Sequence, residues 1–341
     1  MGTKRDETIG VVGAGSWGTT LAVVACEHGT KTLLHCRKEE VAKELNETRL
    51  NQTYLPDIRL PSNLEATADL QRLAESCQFI LFVVPSHGFR ATARVLGGYV
   101  TGQHIVVHAT KGIEQGTHKR MSEVLREETC LRKIGVLSGP NLARELAQHH
   151  PTGTLVASAY DEVFARAHAA LHTDYFRVYG GRDVIGAEVA GAFKNIVALA
   201  AGVAAGLKLG ENTKALLLTR GLSEMARFGV SMGGELMTFG GMAGMGDLIA
   251  TCSSPLSRNH QVGARLAAGE SLAKIQSEMQ MVAEGVKTTR AVHEYAREKG
   301  LDLPIVAAVH RLLYEGGDVP TLLRDLMSIP TGREFVALSA E

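Results

Sequence analysis

Two lysines, Lys111 and Lys194, one acid, Asp247, and the run Ser257-Arg258-Asn259 carry groups suited to moving a proton and gripping an anion. Lys194 has the most unusual surroundings. It lies in Asp183 to Leu207, an apolar stretch in which Ala187, Ala190, Gly191, Lys194, Ala198 and Ala201 share one helical face. That face has almost no side-chain volume except one amine, so a close-packed helix or a ligand must fill the space. A lysine there is costly to bury charged and should be paired or have a lowered pKa, a state suited to proton transfer. The competing reading is a packing face whose lysine reaches out to solvent. Asp247 closes a small-residue stretch, Phe239 to Gly246. Arg258, between a hydroxyl and an amide, has the composition of a phosphate or carboxylate clamp, because a guanidinium can bind two oxygens at once. A solvated surface arginine has the same composition.

A second chemistry sits near the N-terminus, where Thr8 to Val12 reads as a buried strand and Ser16 to Glu27 as a helix. Between them runs Gly13-Ala14-Gly15-Ser16-Trp17-Gly18. Gly13 permits the tight turn, Gly15 lets backbone approach a pyrophosphate, and Gly18 lets helix and strand pack closely. The helix start then offers unpaired N–H groups to the phosphates. This strand–turn–helix context predicts a dinucleotide site. The next strand, Lys31 to Cys36, ends in Arg37-Lys38, where an acid would select NAD and an arginine accommodates a 2′-phosphate. Arg37 therefore predicts a preference for NADPH, with NADH possible.

The elements that position these groups alternate strand with helix. Strands are predicted at Phe79 to Val84, Ile105 to Ala109, Ile134 to Leu137, Thr154 to Ser158 and Phe176 to Tyr179. Helices are predicted at Thr67 to Ser76, Ser86 to Gly97 and Lys119 to Glu128. Tyr54 to Pro61 is broken by prolines and cannot be one helix. This alternation predicts an α/β Rossmann-type, doubly wound, mostly parallel sheet covered on both faces. Sites in such sheets lie beyond the carboxyl ends of the strands, which puts Ser86, Lys111 and Gly139 to Asn141 on one rim. After about Asp183 only helical patterns follow, so an all-α C-terminal domain is expected. The domains read as residues 1–181 and 182–330, with 331–341 a frayed tail.

At 341 residues the chain is long enough for two domains, and a formal net charge of zero gives no signature of nucleic-acid or anionic-membrane binding. Five scattered cysteines without a C-x-x-C are read as free thiols in a reducing compartment, and no apolar signal segment follows Met1, so a cytoplasmic location is expected. Glu188, Lys194 and Asn195 interrupt the long apolar helix, which favours a buried helix over a membrane span. No ligand spacing of cysteines or histidines stands out, so no metal is expected.

Nine motifs stand in one order. They are Gly13-Ala14-Gly15-Ser16-Trp17-Gly18, Val84-Pro85-Ser86, Ala109-Thr110-Lys111-Gly112, Ser138-Gly139-Pro140, Gly191-Ala192-Phe193-Lys194-Asn195, Thr219-Arg220-Gly221-Leu222, Gly244-Met245-Gly246-Asp247-Leu248, Ser257-Arg258-Asn259 and Glu284-Gly285. In this the chain resembles the bacterial NAD(P)-dependent glycerol-3-phosphate dehydrogenases, from roughly Ile9 to Tyr314. The resemblance implies reversible reduction of dihydroxyacetone phosphate to sn-glycerol 3-phosphate for glycerophospholipid synthesis, by a homodimer. It implies Lys194 as proton donor and acceptor, with Lys111 touching substrate and cofactor. Gly139, Asp247, Ser257, Arg258 and Asn259 fall on substrate positions, and Ser16, Trp17, Arg37, Ala143, Arg258, Val282 and Glu284 on cofactor positions. Asn141 departs from the family's usual Ser or Thr, although an amide keeps hydrogen-bonding ability there. Two other readings use part of the same features. One is a related two-domain dehydrogenase of a 3-hydroxy acid or 6-phosphogluconate; the other is a non-enzymatic NADPH sensor.

Overall fold

The computed structural model describes residues 8–279 and 283–328. Among the described residues ten strands form: β1 (Ile9–Val12), β2 (Thr32–His35), β3 (Leu50–Asn51), β4 (Leu55–Arg59), β5 (Leu64–Thr67), β6 (Phe79–Phe82), β7 (Ile105–His108), β8 (Lys133–Ser138), β9 (Thr152–Ala157) and β10 (Phe176–Gly181). Eight of them make one sheet in the order β10-β9-β8-β7-β6-β1-β2-β5, with β3 and β4 a separate hairpin. The central strands are fully buried apolar runs such as Phe79-Ile80-Leu81-Phe82, as a sheet with helices on both faces requires. The order reverses between β1 and β6, which opens a crevice above their carboxyl ends.

Three features of the sheet domain go beyond the expected mostly parallel sheet. β5 is a parallel edge strand beside β2, and the helix expected from Thr67 begins only at Leu70. Four residues of strand at an edge carry too little periodicity to be seen. The proline-broken stretch folds as the β3–β4 hairpin. β9 runs antiparallel to β8. Only the five-residue helix Ala143–Ala147 lies between those two strands, too short to carry the chain back along the sheet for a parallel crossover.

The second layer begins three residues past β10. Helix Val184–Gly206 is long and apolar enough to cross a membrane by composition, yet most of it is buried at the centre of a helical assembly. Ala187, Ala190, Ala198 and Ala201 on its small-residue face are all buried by protein. Two further glycines of this helix show how close the packing is. A Cβ on Gly202 would stand 2.0 Å from the His260 carbonyl oxygen, and one on Gly206 would stand 2.9 Å from the Ala264 carbonyl oxygen. Helix Arg258–Ala267 therefore packs backbone to backbone with this helix, and protein fills most of the space the small residues leave. The tail 331–341 lies outside the described residues.

Candidate active site

The glycine turn behaves as its sequence demands. Gly13 has φ +113°, and a Cβ there would stand 2.3 Å from the Val83 carbonyl oxygen. A Cβ on Gly18 would stand 1.8 Å from the Gly13 carbonyl oxygen. Gly15 differs, since nothing lies within 4 Å of where its Cβ would be. It is also the N-cap of helix Ser16–Glu27, with no side chain capping the first turn. The result is an open cradle at a helix N-terminus, the shape and polarity a pyrophosphate needs. The buried Asn51 of the hairpin braces it, donating to the Ala14 carbonyl at 3.0 Å and to Thr19 Oγ1 at 2.8 Å. Asn51 opens an apparent glycosylation sequon, and its burial gives the side chain a structural duty instead. Ser16 Oγ donates to the Tyr54 carbonyl, Trp17 meets Phe176 edge to face, and the Ala143 carbonyl accepts from Thr20 Oγ1. Arg37 is exposed just past β2, beside the turn.

Across the same rim the two lysines meet on one acid. Lys194 Nζ donates to Asp247 Oδ1 at 2.5 Å and to Thr251 Oγ1 at 2.5 Å. Lys111 Nζ donates to Asp247 Oδ2 at 2.6 Å and to the Gly139 carbonyl at 3.1 Å. Asp247 follows a π-helical turn, Met242–Gly246, and opens helix Asp247–Ser253, so Thr251 falls one turn on along the same face. Lys194 is 6% exposed and does not reach out to solvent. Burial, joined by repulsion from Lys111, pulls its pKa down to about 8 against the attraction of Asp247. Two ammonium groups on one carboxylate leave a local excess of one positive charge, which favours a developing oxyanion.

The arginine run divides its labour. Ser257 Oγ caps helix Arg258–Ala267 by accepting from the His260 N–H. Asn259 is buried, donates to Asn195 Oδ1 at 3.0 Å and accepts from the Gly285 N–H at 2.9 Å. These bonds tie three helices together and leave the Ser257 hydroxyl proton and one Asn259 amide N–H unused among the described residues. Arg258 is exposed and makes no hydrogen bond or ion pair among the described residues. Crowding around its guanidinium lowers its pKa, opposed by Glu284. Asn141 donates to the Gly153 carbonyl at 3.1 Å and accepts from Thr154 Oγ1 at 3.0 Å. Glu284 accepts from the Ser86 N–H at 3.0 Å and from Ser86 Oγ, which joins the two domains at the rim. Val282 lies outside the described residues.

Family comparison agrees with this geometry over nearly the whole chain. Residues 8–164 match the family described as NAD-dependent glycerol-3-phosphate dehydrogenase N-terminus, and residues 183–324 match its C-terminus. The chain belongs to this family. Among curated relatives, glycerol-3-phosphate dehydrogenase [NAD(P)+] of Moorella thermoacetica is 44% identical over 328 residues, 96% of this chain and 98% of the relative. The protein of the same description from Streptomyces griseus is 43% identical over 93% of this chain and 95% of its own length. The glycerol-3-phosphate dehydrogenase structure from Coxiella burnetii superposes with a TM-score of 0.91 at 35% identity, covering 95% of this chain and 99% of that one. A ketopantoate reductase from Ralstonia eutropha, 14% identical with a TM-score of 0.59, shares the fold alone.

Sequence reasoning passed over several residues that the glycerol-3-phosphate dehydrogenase fold brings to the site. Thr251 could have been found four residues after Asp247. The Ser86–Glu284 contact spans 198 residues, and no local signal marks it. Two His-x-x-x-His spacings stand in the sequence, His104 with His108 and His168 with His172. The rings of His168 and His172 stack 4.2 Å apart, and no group of three ligating side chains forms among the described residues.

Proposed function

We propose that this enzyme reversibly reduces dihydroxyacetone phosphate to sn-glycerol 3-phosphate, with Lys111, Asp247 and Lys194 as the reacting centre. The observation that carries this reading is the pair of ammonium groups on one buried carboxylate, set on the rim that also bears the glycine cradle. Gly13, Gly15 and Gly18 with the N–H groups of Ser16 and Trp17 would hold the pyrophosphate, while Ala143 and Glu284 border the cleft. Arg37 is suited to a 2′-phosphate, which supports NADPH over NADH. A bound reduced nicotinamide supplies the hydride that the carbonyl carbon accepts.

The chain's own groups handle charge and proton. Lys194 Nζ, an ammonium below about pH 8, donates a hydrogen bond to the carbonyl oxygen and then releases its proton to it. Lys111 shares the developing charge, and Asp247 keeps both amines in place. Thr251 aims Lys194 by accepting a hydrogen bond from its Nζ. The guanidinium of Arg258 and the N-terminus of its helix fit a phosphate away from the reacting carbon, so phosphate binding energy positions the carbonyl. Gly139 lends its carbonyl to Lys111, whereas Asn141, Ser257 and Asn259 shape the pocket through their bonds to neighbours.

The direct test compares NADPH oxidation with dihydroxyacetone phosphate and with unphosphorylated dihydroxyacetone. A kcat/KM at least a hundredfold higher for the phosphorylated ketone is expected from a charge-assisted phosphate contact of about 3 kcal/mol. Equal values would remove Arg258 and the phosphate from the reading.

A further inference from the structure

One buried acid has no part in this chemistry. Glu188 lies on helix Val184–Gly206, six residues before Lys194, and is 4% exposed. Its carboxylate is fully engaged, and every partner comes from the sheet domain. Oε1 accepts from the Ser122 N–H at 2.7 Å and lies 3.0 Å from His108 Nε2. Oε2 accepts from Arg120 Nη1 at 2.6 Å and from Ser122 Oγ at 2.7 Å. Burial works against the charge, but His108, Arg120 and Ser122 outweigh it and hold the carboxyl at about 2, so it does not exchange protons at neutral pH.

The partners have a telling position. His108 is the last residue of β7, buried and packed edge to face on Phe89. Arg120 is the N-cap of helix Met121–Glu128 and bridges back to Ile113. The loop between His108 and Arg120 carries Lys111. Glu188 therefore grips that loop at both ends. Midway from Glu188 to Lys194, Gly191 lies over the stem of Lys111, where a Cβ would come within 3.4 Å of Lys111 Cγ and 2.9 Å of Ser138 Oγ.

We infer that Glu188 is a positioning residue for the reaction: it bolts the helix bearing Lys194 to the loop bearing Lys111, so both lysines stay seated on Asp247. The inference rests on the reading of Lys111, Asp247 and Lys194 given above. Releasing the bolt moves one lysine relative to the other, and displacements near 1 Å at a reacting centre cost up to about a hundredfold in rate.

The test uses the full-length enzyme with Glu188→Gln and His108→Phe, beside Lys194→Met as reference. Glu188→Gln removes the charge that Arg120 pairs with inside the protein, leaving it the half-exposed Glu123, and is the harsher change. His108→Phe leaves Arg120 and Ser122 on Glu188 and frees only the strand end, so it serves where the first variant does not fold. Expected results are a kcat lower by roughly tenfold or more for Glu188→Gln and about fivefold for His108→Phe, with KM for NADPH unchanged. A second readout is the pH at which kcat/KM turns. Lys194 is faced by Asp247, Lys111, the Thr251 hydroxyl and the Cys252 thiol, and withdrawal of Lys111 relieves repulsion and moves the turn upward. A purely structural salt bridge would lower Tm and leave kcat of the folded fraction and the pH turn untouched, and that result overturns the inference. If Lys194→Met abolishes turnover while His108→Phe is kinetically normal, the bolt alone is wrong. If Lys194→Met turns over normally, the reading of the site fails first.

Discussion

The glycine turn at Gly13–Gly18 and the lysine–carboxylate seam at Lys111, Asp247 and Lys194 face one cleft and are held in place by different means. The turn is a product of local backbone sterics. Val83 and the turn's own carbonyl leave no room for side chains at Gly13 and Gly18, and Gly15 opens onto empty space. The seam joins groups 53 and 136 residues apart, and nothing local forces them together. Two ammonium groups share one acid there, with Thr251 and the Gly139 carbonyl completing their shells. A change in the turn should act on cofactor binding, and a change in the seam on turnover. The cradle is thus tolerant of distant substitutions, while the seam depends on the packing of both domains.

The largest effect expected comes from the seam. Lys194→Met removes charge and proton at nearly constant length, and kcat should fall by about 10³ or more, the combined scale of lost acid catalysis and oxyanion stabilisation. NADPH affinity should persist, and Tm should stay within a few degrees, because Asp247 keeps Lys111 as a partner. Near-normal kcat would make the lysine structural. Next is the turn, where Gly18→Ala must push a Cβ into the Gly13 carbonyl. A cost on the order of 3 kcal/mol is expected in NADPH binding or folding, measured by cofactor titration and melting. Unchanged binding would mean the turn adapts and is not the rigid cradle described.

Between the two regions lies Arg258. Arg258→Ala should cost about 2 kcal/mol in kcat/KM for the phosphorylated ketone and far less for the unphosphorylated one. Equal losses would move Arg258 to the cofactor side of the cleft. The pH dependence probes the seam without mutation. Reduction of the ketone uses the ammonium of Lys194, so its kcat/KM should be level below about pH 8 and fall about tenfold per unit above it. Oxidation of the alcohol uses the free amine and should rise up to the same pH. Profiles that move together would assign the turn to another group. The smallest effect belongs to Arg37→Asp, which should shift the NADPH/NADH preference by roughly tenfold, about one charged hydrogen bond. An unchanged ratio takes Arg37 out of the cofactor site.

Some of this protein can be read from its residues in order, because the forces concerned act over a few positions. The buried run before Gly13, the helix after Ser16 and the reversal of character near Asp183 follow from backbone freedom and hydrophobic periodicity. Lys194 could be singled out as a buried amine, since a charge on a small-residue face must find a partner. Its partner could not be derived from the same stretch. That Asp247 also holds Lys111, that Asn259 bonds to Asn195 and Gly285, and that Asn141 bonds to β9 all depend on where distant segments dock. β5 and the antiparallel β9 were hidden for the same reason, as a short edge strand and a five-residue connection acquire their direction from the neighbours they pair with. Glu188 is the plainest case. In sequence it only interrupts an apolar helix, and its role emerges where the fold brings His108, Arg120 and Ser122 to its carboxylate, because a buried charge is tolerable only where it is paired and hydrogen-bonded.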